Sequence, residues 1–467
     1  YWHSSYIQNS LFSDFLNAKI AWSIAGDYSV GALRVNYLFL RLVNEILIIY
    51  FIYLLSKSLN FKIKFEIFAF VFLCSISLYL NRQIEEDFYP NRFREIPIFL
   101  ILISSLKLIT SNKNNYVLAF STGLLSVFSS AWSLDKGIYI NAILISLIFI
   151  FYILKDYKKN YFILVGIVAG WTMFYLIIGN NDFESFVYNS VNIIKDQDLF
   201  NGLIYPTPFN FEFNEHAGRG TKNLIIIILN AILITTILLN KKKQIPHSTG
   251  LFLVLFFLIG FINYKTGISR ADGYHMKQSI FYQLIFLASL IIINLNLLKI
   301  LNTKKNIYSI LTLGLFLTWT INFYEISFGD FNKATNYKKR YIDYVALNDK
   351  VFTKPEYHKL INELKIKLKD ESCFQVFSYD SSVSYLIRKK PCTRYNFIYA
   401  VGSKQVQNNF INELKLSQPK YILIKGPLND FVRFSPSRRF DMIDSFIIKN
   451  YKLEKNIESW QLLKKHN

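Results

Sequence analysis

Over its first two-thirds the chain arranges apolar residues in unbroken runs of 15 to 23 positions, not in the short alternations of a soluble core. A helix needs about 20 residues to cross roughly 30 Å of hydrocarbon. The runs predict ten spans, at about 33–55, 64–80, 96–110, 116–132, 138–154, 161–178, 223–239, 250–264, 278–298 and 307–323. Leu224–Leu239, Leu251–Phe261 with its flanks and Ile280–Leu298 carry the strongest pattern. The third and eighth are short, as tilted or partly re-entrant segments are. After Phe323 the pattern changes. Helical patterns at Lys354–Lys369, Ser381–Arg388, Ser403–Leu416 and Arg438–Asn450 alternate with strand patterns at Cys373–Phe377 and Tyr421–Ile424. Tyr451–Ile457 and Trp460–Leu463 read as a closing hairpin. The fold class expected is a polytopic α-helical membrane bundle with a small C-terminal α/β domain and a mainly parallel sheet.

Composition agrees with that class. Of 467 residues, 52% are apolar, 17% aromatic and 18% charged, which excludes a disordered, collagen-like or nucleic-acid-binding chain as the main theme. Three cysteines exclude a disulfide scaffold or a cysteine-built metal cluster. Cys74 falls within a span and reads as packing. Cys373 and Cys392 are candidates for one bond.

The net charge of +21 is unevenly placed. One set of loops holds Lys57, Lys62, Lys64, Lys107, Lys113, Lys155, Lys158, Lys159, Lys241–Lys243, Lys299, Lys304 and Lys305, with Asp156 as the acid beside them. The alternate loops are acidic. Lysine-rich short loops stay cytoplasmic, so residues 1–32, the acidic loops and the C-terminal domain are expected outside. The domains expected are 1–32, a remnant of the first outer loop; 33–323, the bundle; and 331–467, the outer domain. The sequence opens at Tyr1 with residues 1–32 already outside, so an inbound helix is expected upstream.

Arginine is sorted differently. All thirteen lie on outer loops, outer helix ends or the C-terminal segment. The planar guanidinium grips phosphate or carboxylate with two bonds, so an arginine face opposite a lysine face suggests anion handling, ion pairing, or both. Arg34 and Arg41 stand two turns apart on the first span, and Glu45 is spaced to pair with Arg41. Arg34 reads as a phosphate contact at the outer rim or as part of an internal ion pair. The segment 81–95 packs Glu85, Glu86, Asp87 and Glu95 among Arg82, Arg92 and Arg94. Carboxylates there suit a general base or a divalent metal, and the arginines suit phosphate; a solvated loop is the alternative. Asp272-Gly273 reads as a turn delivering His275 and Lys277 to the mouth of a helix, near Arg270. Asp135 follows Ser133 in another outer turn, as an acid or a helix cap. The long loop 179–222 reads as a partly helical lid. No nucleotide-binding glycine fingerprint follows any C-terminal strand.

With these residues in view, the chain resembles the GT-C superfamily of lipid-linked-sugar glycosyltransferases, and a bacterial branch related to it. The stretches that carry the resemblance are Tyr1-Trp-His-Ser-Ser through Asp14 to Gly31-Ala-Leu-Arg34, Trp132-Ser-Leu-Asp135-Lys-Gly137, Ser269-Arg270-Ala-Asp272-Gly-Tyr-His275, and the tail from Cys373 to Gly426. The resemblance implies an inverting transfer of sugar from a polyprenyl-phosphate donor to a glycan or lipid acceptor of the cell envelope, at the outer face of a bacterial inner membrane. That family keeps its key acid in the first outer loop, here represented by Asp14 and Asp27; its usual acidic pair is not visible. The candidate catalytic residues are Asp14, Glu85, Glu86 and Asp87. The candidate substrate contacts are Arg34, Arg92, Arg94, Asp135, Arg270, Asp272 and His275. The implied partners are membrane lipids, the donor and the acceptor, with no nucleic acid; a divalent metal ion stays an open option. A transporter or flippase, or a non-catalytic envelope-assembly protein, is the alternative. The chain shows no internal repeat, and its ionisable residues gather at one face, unlike the midplane sites of transporters.

Overall fold

The structure is a computed structural model, and it describes residues 11–86, 91–111, 114–195, 207–210, 217–239, 245–270, 273–297, 337–378, 382–395, 401–425 and 440–466. A π-helical turn, Leu11–Leu16, leads into α1 (Asn17–Ala25) and then α2 (Val30–Ser58). There follow α3 (Ile63–Glu86), a 3₁₀ turn (Asn91–Glu95), α4 (Ile96–Thr110), α5 (Tyr116–Trp132), α6 (Leu134–Ile153), α7 (Tyr157–Ile178) and α8 (Asn180–Lys195). The bundle continues with α9 (Ala217–Leu239), α10 (His247–Arg270), α11 (Gly273–Ser279) and α12 (Phe281–Leu297). Among the described residues seven helical segments are long and apolar enough to cross a membrane. The chain is a multi-pass membrane protein.

Nine of the ten expected spans coincide with described helices; the tenth, 307–323, lies outside the described residues. The eighth is not short, because it belongs to the 24-residue α10. The third is short, as expected. At 1.5 Å per residue the 15-residue α4 covers about 22 Å, and 12 of its residues are buried. It packs against α2, α5, α6 and α10 inside the bundle, so its length need not match the lipid. The α5–α7 contact is close because Gly123 and Gly166 face each other; a Cβ on either would overlap the backbone oxygen of Ile163 or Phe120.

Polar groups inside the bundle repair its irregular places. The chain breaks between α11 and α12 at Ile280. There Asn223 donates to Met276 O at 2.7 Å and Asn263 to Ser279 O at 3.0 Å. An unpaired carbonyl at membrane depth costs several kcal/mol, so these asparagines keep the break tolerable. At the other end of the bundle, Lys159 donates to the carbonyls of Leu108 (3.2 Å) and Ser111 (3.3 Å), which end α4, and pairs with Asp156 at 2.9 Å. A cation there also complements the helix dipole. Lys57, Lys62, Lys64, Lys155 and Lys158 lie at this end.

The soluble part opens with α13 (Tyr337–Val345), a 3₁₀ turn (Asp349–Phe352) and α14 (Pro355–Lys367). Then come β1 (Gln375–Phe377), α15 (Ser382–Ile387), α16 (Lys404–Ser417), β2 (Tyr421–Lys425), α17 (Asp441–Asn450), β3 (Tyr451–Ile457) and β4 (Trp460–Lys465). The strand order is β1-β2-β4-β3. Alternation along the strands splits the core. Val376, Leu423 and Leu462 face α14 and α15, whereas Phe377, Ile422 and Leu463 face α16 and α17. The expected mainly parallel sheet is corrected. β1 and β2 are parallel, but β4 is antiparallel to both β2 and β3. The two-residue turn between β3 and β4 allows no other direction, and β4, not β3, took the place beside β2. Cys373 and Cys392 are bonded, tying the approach to β1 to the segment after α15.

The soluble part is fastened to the start of α2. Ser29 caps that helix, accepting from Ala32 N at 3.2 Å and donating to Val345 O at 2.8 Å. Asp349 accepts from Val30 N at 2.9 Å. Gly31 permits the approach, since a Cβ there would lie 2.5 Å from Tyr344 O.

Candidate functional site

The 3₁₀ turn before α4 directs two side chains inward, Phe93 and Glu95, each 1% exposed. Phe93 stacks on Tyr37 of α2 at 5.1 Å and meets Trp132 of α5 edge-on at 6.3 Å. Glu95 stands at the N-cap position of α4, where free N–H groups and the helix dipole favour a carboxylate. From α6, Lys136 brings its ammonium to 2.9 Å from Oε1. The Tyr282 hydroxyl of α12 donates to Oε2, and Gln278 of α11 donates to Oε1 at 3.4 Å. A buried carboxylate survives only when paired and hydrogen-bonded, and three elements, α6, α11 and α12, supply those partners. Asp135 sits beside the pair, 3.5 Å from the Lys136 ammonium, accepting from the Ser133 hydroxyl; its side chain is 33% exposed. This node therefore has a sealed half, Glu95 with Lys136, and a half open to solvent, Asp135.

Two more segments reach it. Ser13 donates to Trp132 O at 2.8 Å, and Phe12 packs against Phe128 and Phe174 at 6.1 and 6.5 Å. The turn carrying Asp14 thus rests on the α5–α6 corner from which Asp135 and Lys136 project. His275 lies one turn before Gln278 on α11 and is partly buried. Arg94 adjoins Glu95 in the chain and is half-buried. The Asp14 turn, Arg94, Asp135 and the His275 helix accordingly share one end of the bundle.

The other expected residues stand elsewhere or outside the description. Glu85 and Glu86 end α3, Arg92 belongs to the 3₁₀ turn and Arg270 ends α10, but their side chains are not among those described; Asp87 and Asp272 lie outside the described residues. Arg34 places its guanidinium 4.9 Å over the Phe352 ring, at the fastening of the soluble part. Arg41 pairs with Glu45 at 3.3 Å, as their spacing predicts. The loop expected as a lid starts as the helix α8, whose Phe183 and Phe186 pack on Trp171 and Phe174 of α7. Among the described residues no three His, Cys, Asp or Glu side chains meet in a group that could hold a metal ion.

Sequence reasoning passed over Lys136, Tyr282, Gln278 and the role of Glu95. A signal existed for the pair on α11 and α12: Gln278 and Tyr282 are four residues apart, interrupting an apolar run on one side. Nothing in the sequence linked them to Glu95, 183 and 187 positions away.

No family model matches the chain, and no curated protein matches it. Among solved structures the chain is similar to an archaeal oligosaccharyltransferase, AglB from Archaeoglobus fulgidus, in complex with an inhibitory peptide and a dolichol-phosphate. The identity is 11% and the TM-score 0.39, over 90% of this chain and 61% of that one. The chain spans 61% of the length of that protein.

Proposed function

We propose that this protein is a membrane glycosyltransferase that moves a sugar from a polyprenyl-phosphate donor to a glycan or lipid acceptor of the cell envelope, at the outer face of a bacterial inner membrane. The observation that carries the reading is the meeting, at one end of the bundle, of the Asp14 turn, the partly exposed carboxylate of Asp135, the buried Glu95–Lys136 pair and the helix bearing His275. The Cys373–Cys392 bond supports an oxidising compartment for the soluble part, residues 331–467. The lysines at the opposite end support a cytoplasmic face there.

In this reading a carboxylate, Asp14 or one of Glu85, Glu86 and Asp87, takes the proton of an acceptor hydroxyl. The hydroxyl oxygen attacks the anomeric carbon from the face opposite the phosphate. The bond from that carbon to the phosphate oxygen breaks, the configuration inverts, and the phosphate leaves with the bonding pair. Arg92, Arg94, Arg270 and His275 neutralise it, with Arg34 and Asp272 at the margin of the site. Asp135 orients a sugar hydroxyl. Glu95 takes no proton from substrate, since its oxygens are held by Lys136, Tyr282 and Gln278; it positions the turn that bears Arg92 and Arg94.

The test is transfer by the full-length protein in lipid discs, supplied with a panel of radiolabelled polyprenyl-phosphate sugars and envelope acceptors. Label should move to acceptor. Asp14→Asn should lower kcat roughly 10²–10⁴-fold, the range for loss of a general base, with thermal stability kept. Absence of transfer from every donor in the panel would sink the reading.

A further inference from the structure

Away from the bundle node, a cavity of about 650 Å³ opens where the α1–α2 connection meets the soluble part. That volume is in the range of small-molecule sites. Its floor is aliphatic, with Ile361 and Leu386. Its rim carries Lys350, Lys365, Arg388 and His358, against Asp27 and Asp349. Asp349 is tied into the fastening of α2, whereas Asp27 is exposed. Asp27 accepts from Tyr28 N at 2.6 Å, and Asp349 holds Val30 N and the Tyr385 hydroxyl. Neither the Lys350 nor the Lys365 ammonium has an acidic partner among the described residues. His358 is fixed by the Lys350 carbonyl and the Thr353 hydroxyl, each 2.9 Å from Nε2.

Arg388 is the most constrained of the group. Its φ of 58° lies in the left-handed region, where it ends α15 and turns the chain. The guanidinium lies 4.4 Å from the Tyr385 ring and 5.4 Å from the Tyr28 ring, and 3.6 Å from Asp349. Two aromatic faces thus hold the planar fork while half of the side chain stays exposed. Tyr28 is itself exposed and lines the cavity. Tyr385 is itself stacked on Trp22 at 5.9 Å, so the aromatic surface open to the C–H face of a sugar ring is that of Tyr28, and three cations of which two are unpaired receive an anion.

We propose that this cavity binds an acidic saccharide, a sugar carrying a carboxylate or phosphate, and that such a sugar is the acceptor end presented to the bundle. Only the word acceptor rests on the transferase reading; the binding site does not. The probes are glucuronate, glucose 1-phosphate, neutral glucose and inorganic phosphate, titrated calorimetrically into the full chain in lipid discs. Glucuronate and glucose 1-phosphate should bind, more weakly as salt rises, and glucose should not. The double variant Lys350→Ala/Lys365→Ala should weaken both at least about tenfold, as losing two charge-assisted contacts does. Both lysines are exposed, so the variant should keep its thermal midpoint. Equal affinity for glucose, unchanged affinity in the double variant, or binding confined to inorganic phosphate would each overturn the site. So would displacement of glucuronate by polyprenyl phosphate added to the discs, which would assign the anion to a lipid headgroup. A chain that binds glucuronate but transfers no sugar keeps this site and loses the transferase; one that transfers sugar yet binds no acidic saccharide loses this site alone.

Discussion

Glu95 and Asp349 are two carboxylates built from the same parts. Each stands at the start of a bundle helix, Glu95 at α4 and Asp349 at α2. Each accepts a tyrosine hydroxyl, from Tyr282 or Tyr385, and each faces one cation, Lys136 or Arg388. The difference is water. The Glu95 and Lys136 side chains are 1% and 5% exposed and 2.9 Å apart; those of Asp349 and Arg388 are 18% and 48% exposed and 3.6 Å apart. In the dry setting neither charge can be left alone, so the pair is a fixed joint between α4 and α6. At the rim, solvent screens the attraction, and the arginine can turn to another anion at small cost. The same side chains thus make a rigid support in one place and an exchangeable contact in the other.

The largest effect follows from Lys136→Met. It strands a buried carboxylate, which costs about 3–5 kcal/mol, and the yield of folded, monodisperse protein should collapse. Adding Glu95→Gln should restore most of it, because two neutral groups bury more easily than one lone charge. A double variant no better than the single one would show that the joint is not electrostatic.

At the rim the expected losses are smaller. Asp349→Ala removes the acceptor of Val30 N and should cost about 1 kcal/mol, as the loss of a cap does. Its clearest readout is faster hydrogen exchange at the start of α2. Asp349→Asn keeps an acceptor oxygen there and should leave that exchange nearly unchanged. If both variants speed exchange alike, the charge of Asp349 matters more than its cap and the contrast with Glu95 narrows. The Tyr385 hydroxyl carries the same message: burial, then its bond to Asp349, pushes its pKa up to about 12.

How legible these two regions were differs for a physical reason. Bundle helices announce themselves because lipid demands long apolar runs, and nine were placed from run length alone. The Arg41–Glu45 pair was legible too, because a helix brings residues four apart together. The soluble domain was legible as alternating elements, yet its sheet was misjudged, since the choice of neighbour for β2 is made by tertiary packing. The Glu95–Lys136–Tyr282 node was the least legible. Its members, with Gln278, come from four separate elements, and no local spacing encodes which helix ends share a face. Asp135 was found because an acid in a turn beside an apolar run stands out; Lys136, next to it, passed as an ordinary lysine.

A third pair is about as open to water as the second, its lysine and glutamate side chains 36% and 25% exposed. Lys367 of α14 bonds Glu454 of β3, with both groups at the surface of the soluble domain. The side-chain bond to Lys367 is the main cause that holds the Glu454 carboxyl below its ordinary value, and the same bond to Glu454 raises Lys367. The signs fix the pH window. A depressed carboxylate contributes stability above its unfolded pKa of 4.5 and loses it as pH falls through the lower folded value. A raised lysine contributes below 10.5 and loses it as pH climbs through the higher folded value. Lys367→Ala should therefore shift the Glu454 titration upward toward 4.5 in side-chain carbon NMR, while the thermal midpoint at pH 7 moves by little, as for other screened surface pairs. An unmoved titration would mean that Lys464 and Lys452, the weaker charges near Glu454, dominate it instead. A large drop in the midpoint would mean that exposure does not separate the dry pair from the two wet ones, and the distinction between a fixed joint and an exchangeable contact would need another cause.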